Sequence, residues 1–277
     1  MKRASLNRPR MSSTLSGALD GLRFAFGTFT RIPVRAPKQL SVRTAAWGIC
    51  LAPLVGLLLS LIAEALALAT RWAIPGWDDR LLVAVIAIAA LAALTGGLHL
   101  DGLTDTADGL ASGADADRAV AIMRRSDVGA LGVITVVLVL LMQIAALNTA
   151  LLAGRGTLAL VGGAVVSRLA IVWACRRGTK AARSDGLGAT VIGSVPLAAV
   201  AVVTVVAALV LAFGAIAEDD VARSFVVNIL VALVLSLAAG EVVRRYCERR
   251  LGGLTGDVLG AINEVTFLVF VFAVALR

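Results

Sequence analysis

Charge is what this sequence has least of. Asp, Glu, Lys and Arg make up only 16% of its 277 residues, where about 25% is usual in soluble domains, too few to cover the surface of a water-soluble globule of this size. Cysteine is scarce as well. Cys50, Cys175 and Cys247 lack the number and the CxxC-type spacing of a disulfide framework or a zinc cluster, so both are set aside. Histidine occurs once, at His99. The basic start MKRASLNRPRMSSTLSG lacks the apolar core of a secretory signal. No internal repeat and no Gly/Ser-rich or Pro-rich linker divides the chain. What is abundant is apolar: 59% of the residues are hydrophobic and the mean hydropathy is +0.93. That excess has to face lipid, which excludes a single water-soluble domain.

A bilayer core about 30 Å thick needs roughly 20 mostly apolar residues per helix. Windows of that length fall at 45–70, 81–98, 128–152, 157–175, 195–217, 225–239 and 258–276. The fold class that follows is all-α, a polytopic integral membrane bundle of about seven transmembrane helices, with six to eight as the range. The windows carry no 3.6-residue apolar stripe, as suits helices surrounded by lipid and by one another. Small residues such as Gly162, Gly163 and Ala164 would let the helices approach closely. Residues 1–17 read as a flexible cytosolic tail and 18–277 as one membrane-embedded domain. The stretch 18–43, with FAFGTFTRIPVRAPK, is too charged to span; it either lies along the interface with its Phe side chains among the headgroups or forms a solvated loop.

The net charge of +8 is unevenly placed. Lys and Arg number nine before the first window, then three, four and four in alternate loops, against two, one, one and one in the others, Arg168 lying inside a window. Twenty basic residues on one side against five on the other is the positive-inside asymmetry, and it puts the N-terminus in the cytoplasm. The charge therefore records orientation, and no nucleic-acid partner is expected.

The densest polar feature, residues 95–129, follows the second window on that basic side. Asp101, Asp105 and Asp108 are spaced i, i+4, i+7 and share one helix face. Three such carboxylates at membrane depth repel one another unless a cation or protons neutralise them. Mg²⁺ or Mn²⁺ is the expected neutraliser, since these hard ions take oxygen ligands and leave positions open for phosphate oxygens. His99 would lie on the other side of an ideal helix, but a break at Gly96 and Gly97 would turn it toward the same cavity, to bind phosphate or transfer a proton. Asp115 and Asp117, beyond Gly113, read as solvated. A second constellation, GGLTGDVLGAINEVT at 252–266, places Asp257 and Glu264 on one face entering the last window. Arg31, Arg124, Arg125 and Arg183 fall on the acidic side, where guanidinium forks suit phosphates or simply set topology. Arg168, with no acid beside it, should pair with Glu264 or an Asp of the first cluster. Glu218, Asp219 and Asp220 read as an outer solvated loop, and Glu64 as reaching the outer interface.

These features describe an enzyme moving a phosphate-bearing group, with an ion-coupled transporter as the competing class. CDP-alcohol phosphotransferases carry DxxDGxxAR, which the spacing here does not reproduce; UbiA-type prenyltransferases carry two Asp-rich motifs, of which Asp101-x3-Asp105 supplies one. The run GGLHLDGLTDTADGL at 96–110 resembles nearly residue for residue the signature of the cobalamin synthase (adenosylcobinamide-GDP ribazoletransferase) family. The resemblance extends through FTRIPV at 29–34, PLVG at 53–56, IMRRSDVGALGV at 122–133, GLGA at 186–189 and LTGDVLGAINE at 254–264. It implies a Mg²⁺-dependent enzyme of the inner membrane, its active site facing the cytoplasm, that joins adenosylcobinamide-GDP to α-ribazole or α-ribazole 5′-phosphate and releases GMP. Residues 18–277 would then be the catalytic domain, in contact with membrane lipid and open to homo-oligomerisation. On this reading Asp101, Asp105 and Asp108 hold the metal and, with His99, do the chemistry. Arg31, Arg124, Arg168, Asp257 and Glu264 complete the substrate site.

Overall fold

A computed structural model describes residues 11–38, 40–73, 79–125, 127–218 and 222–276. Among them the chain forms twelve helices and no strand. These are α1 (Met11–Phe29), α2 (Val42–Cys50), α3 (Ala52–Ala73), α4 (Arg80–Thr95), α5 (Leu98–Ala111), α6 (Ala116–Ile122), α7 (Ala130–Leu152), α8 (Gly156–Ala174), α9 (Gly186–Val191), α10 (Leu197–Glu218), α11 (Ala222–Leu251) and α12 (Gly256–Ala275). Short polar side chains start several of them: Ser41, Asp79, Asp115 and Thr255 each accept a hydrogen bond from a backbone N–H of the first turn.

Six of the helices are long and apolar enough to cross a membrane, or seven when α4 and α5, bent by 87° between them, count as one span. The protein is a multi-pass membrane helical bundle. Large apolar side chains stand exposed along α3, α7, α10 and α11, among them Leu61, Leu141, Leu209, Phe213 and Val234, and only a bilayer offers such faces a suitable solvent. The centre is built by α8 and α12, which pack on each other. In α8 83% of the residues are buried, with Gly162 so close to Phe270 of α12 that a Cβ would displace the ring, and Gly163 in tight contact with Phe267 and Val271.

Three windows differ from the sequence expectation. The first is broken: Pro53 has no N–H to offer the carbonyl of Ile49, so α2 ends at Cys50 and α3 restarts at Ala52. The sixth, short in the sequence, runs on to Leu251, because Glu241, Arg244, Arg245 and Glu248 bridge one another at i, i+3 and i, i+4 and carry α11 past its apolar stretch. The second stops at Thr95 and turns. At the N-terminal end, residues 1–10 of the expected tail lie outside the described residues and α1 begins at Met11. The stretch 18–43 is largely helical rather than a free loop, and its Phe24 and Phe29 are not turned outward. α1 docks on α2, and Phe24 and Phe29 point into the protein, because Gly21 and Gly48 let the two helices touch. Glu64 accepts a hydrogen bond from Thr157 at the start of α8. Of the acids read as an outer loop, Asp219 and Asp220 and the side chain of Glu218 lie outside the described residues.

Candidate active site

The turn between α4 and α5 sets the site. Gly96 and Gly97 both take left-handed backbone angles, φ 63° and 73°, which a side chain would strain. The chain therefore swings through 87° and α5 crosses the bundle. Arg31 secures the elbow: its backbone N–H donates to Leu94 O at 2.8 Å, and its side chain lies where a Cβ on Gly96 would sit. His99 is thus carried into the interior, 3% exposed, with its ring stacked on Phe29 at 6.1 Å and its Nε2 without a partner.

α5 next crosses α12 at the closest approach two backbones allow. A Cβ on Gly102 would stand 2.6 Å from the carbonyl oxygen of Asp257, and one on Gly260 would stand 2.9 Å from that of His99. This contact brings Asp257 to the first acidic cluster. Asp105 lies in the field of Asp101, Asp257 and Asp108, and Asp257 in that of Asp101 and Arg183. Among the described residues no ion pair or hydrogen bond neutralises the carboxylate of Asp105.

Asp108 is engaged differently from the expectation that grouped it with Asp101 and Asp105. Its Oδ2 accepts from Gly129 N and its Oδ1 from Gly132 N, both at 2.7 Å, so it clamps the amino end of α7 to α5. Gly132 has no room for a Cβ beside that carboxylate. An Asp108→Asn change sets an amide NH₂ against one of two buried donors. It should cost about 2 kcal/mol of stability, read as a lower Tm in detergent; an unchanged Tm would remove the clamp role.

The loops after α8 and before α12 close the site from the far side. Ala182 N donates to Leu254 O and Leu254 N to Lys180 O, each at 2.8 Å, a short parallel bridge that brings RSDGLGA against LTGD. Gly253 passes so near the Ala181 and Ala182 backbone that only glycine fits. Together with α5 and α12 these loops bound a cavity of about 310 Å³, lined by His99, Asp101, Arg183, Asp185, Asp257 and the glycines of 186–188. Arg183 donates to Asp185 twice, at 3.0 and 2.7 Å, and holds its carboxyl below the usual carboxylate range; Arg124, itself exposed, acts on Asp185 in the same sense. A second, more open cleft of about 590 Å³ holds Arg31, Gly96, Gly97 and Thr104, and Asp101 stands on the rim that the two share.

Deeper in the bundle His99, Gln143, Arg168, Asn263 and Glu264 surround a pocket of about 30 Å³. Arg168 does not bond Glu264 directly, as pairing of lone charges led one to expect. Its guanidinium donates to Ser167 Oγ at 3.1 Å and Ala164 O at 3.4 Å, and it feels Glu264 through its field. Glu264 instead accepts from Gln143 Nε2 at 2.8 Å and Asn263 Nδ2 at 3.1 Å. So Asp257 and Glu264, on one face of α12, open into different spaces, and His99 lines both. Gln143 and Asp185 escaped the sequence reading. An amide in the midst of the 128–152 window was a visible signal for the first; the Arg183–Asp185 fork was not visible in spacing alone.

Hard oxygen donors from two helices, Asp101 and Asp257, lining one cavity with the Arg183 guanidinium, suit a divalent cation carrying a diphosphate. Among the described residues no three His, Cys, Asp or Glu side chains converge closely enough to hold a metal ion by themselves.

The sequence model of the cobalamin-5-phosphate synthase family matches residues 21–275. The chain belongs to that family. Curated relatives include proteins named adenosylcobinamide-GDP ribazoletransferase from Frankia casuarinae, 41% identical over 88% of this chain and 90% of its own, and from Nocardioides sp., 40% identical over 93% and 99%. A third, from Syntrophobacter fumaroxidans, carries the same name and is 36% identical over 92% and 97%. No solved structure matches the chain. As a member of the cobalamin-5-phosphate synthase family the protein is a transferase of cobalamin biosynthesis, and the matched span takes in every side chain that lines the three spaces just described.

Proposed function

We propose that this chain carries out the transfer for which its relatives are named, moving the adenosylcobinamide-phosphate group of adenosylcobinamide-GDP to α-ribazole or α-ribazole 5′-phosphate. The observation that carries the reading is the meeting of Asp101 and Asp257, from two helices, with Arg183 at one cavity, Asp105 lying within the field of both acids. In the reaction the 3′-hydroxyl oxygen of ribazole bonds to the phosphorus bearing the cobinamide arm. The bond from that phosphorus to the bridging oxygen breaks, and GMP leaves.

Arg183 and Arg31, each lining one of the two cavities, are placed to bind diphosphate oxygens, with the backbone of 186–188 bounding one cavity and Arg124 adding positive charge near Asp185. The buried Nε2 of His99, or a carboxylate of Asp101 or Asp105, takes the hydroxyl proton. Asp101, on the shared rim, stands where groups from the two cavities meet, the arrangement that in-line displacement requires. Mg²⁺ is the cation these carboxylates suit; Asp101 and Asp257, which line one cavity, would hold it together with diphosphate oxygens and water, with the charge of Asp105 nearby, and it would neutralise charge on the diphosphate. The basic face and the N-terminus lie in the cytoplasm on this reading, with the spans in the inner membrane, supported by the twenty-to-five division of Lys and Arg.

The test is product formation by detergent-solubilised protein given adenosylcobinamide-GDP and α-ribazole, with Mg²⁺ and after chelation. GMP in equal amount to the new cobalamin, lost on chelation and restored by Mg²⁺, is the expected result. No GMP under any condition would reopen the prenyltransferase and transporter readings; turnover that survives chelation would remove the cation alone.

A further inference from the structure

A groove on the opposite side of α8 shares no lining residue with the active-site spaces. It lies between α8, α10 and α11, all three membrane spans, and measures about 440 Å³. Ala170, Ala174, Leu233 and Leu237 form its apolar walls. Across its mouth Trp173 donates its indole N–H to Thr204 Oγ1 at 3.0 Å, and the Arg176 guanidinium sits 5.9 Å from the Trp173 ring. An indole at this level marks the membrane interface.

The head of the groove is a knot of guanidiniums. Arg176 and Arg244 each donate twice to Glu241, at 2.8 to 3.2 Å, and Arg245 Nε donates to the same carboxylate at 2.8 Å. Arg244 also reaches Glu248 at 2.7 Å. Three cations thus face two anions. The surplus falls on Arg245, whose side chain is 63% exposed and which spends only Nε on Glu241. Its two terminal nitrogens point no hydrogen bond at any described residue.

We propose that this groove holds an anionic phospholipid of the adjoining leaflet, one acyl chain between α8 and α11 and the phosphate on the free nitrogens of Arg245. On the α11 side the groove is open to the bilayer at Val234, which is 64% exposed, so a lipid chain is the available filler, and the uncompensated positive charge at the mouth selects a headgroup with net negative charge. Occupancy would pack the α8–α10–α11 contact from outside, away from the chemistry.

Brominated-chain phosphatidylglycerol and phosphatidylcholine, each doped into plain phosphatidylcholine vesicles carrying the protein, test this through tryptophan quenching. The glycerol lipid should quench more at equal mole fraction, and Trp173→Phe should abolish the excess. Arg245→Gln should weaken the selective component about fivefold, the effect of one guanidinium at a membrane surface, while Arg245→Lys retains most of it. Since Arg245 is exposed, neither change should disturb folding, which an unaltered Tm would show. Equal quenching by the two lipids, or an excess untouched by Arg245→Gln, overturns the proposal. Displacement of the lipid by soluble glycerol 3-phosphate would overturn it too, since the site would then bind phosphate without needing a chain.

Discussion

Asp105→Asn is expected to reduce GMP release by at least about a thousandfold while the protein inserts, purifies and melts as the parent does. The reason lies in what Asp105 touches. It has no hydrogen bond to lose among the described residues, and its neighbours in the field are Asp101, Asp257 and Asp108, all of the same sign. Removing one negative charge relieves repulsion in the unliganded protein, so Tm without divalent cation should stay level or rise. Added Mg²⁺ should raise the Tm of the parent, since a ligand that binds only the folded state stabilises it, and should raise that of the variant less. Asp108→Asn makes the contrast, because its cost falls on the α5–α7 clamp and appears in Tm whether or not cation is present. Turnover retained by Asp105→Asn would take the carboxylate out of the chemistry, and a Tm loss matching that of Asp108→Asn would make it structural.

The membrane bundle and its spans were legible because each rests on local composition, which lipid acts upon directly. The elbow was legible for a similar reason: two adjacent glycines ending an apolar run announce a break, and His99 turns inward as that break requires. What spacing could not show is which helix comes to meet α5. Asp108 shares a face with Asp101 and Asp105, but its partners are backbone amides 21 and 24 residues on, made close only by tertiary packing. Asp257 joins the acids across 152 to 156 residues of chain because Gly102 and Gly260 interlock; the glycines were visible, their meeting was not. The phenylalanines of α1 misled in the same way, since a side chain suited to a headgroup region is equally suited to a protein interior, and Gly21 and Gly48 decided for the interior.

Arg168→Met is expected to destabilise the bundle by about 3 to 5 kcal/mol, and Glu264→Gln to cost a comparable amount, while the double variant recovers most of the loss. Both side chains are nearly sealed, 3% and 9% exposed, on α8 and α12 at the centre of the fold. No hydrogen bond joins them, yet in a low-dielectric interior opposite charges act across a gap of several ångströms, whereas in water the same gap would quench the effect. Each therefore depends on the other more than on its own hydrogen bonds. Among the described residues Arg168 has only Ser167 Oγ and Ala164 O, with Nε unpartnered; Glu264 accepts from Gln143 and Asn263, and a glutamine there keeps both bonds once the Asn263 amide flips to turn its unpartnered Oδ1 to the new NH₂. Removing one charge strands the other, and removing both leaves a neutral polar pocket that Gln143 already half satisfies. Unfolding of the four proteins in one detergent gives the cycle, and a coupling energy of about 4 kcal/mol or more, the two single losses less the small double loss, is the expected result. Additive losses would mean that the two are held separately. In that case the pocket beneath His99 is a set of independent hydrogen bonds, and the sense in which a lone arginine inside a span demanded an acid would have to be met elsewhere.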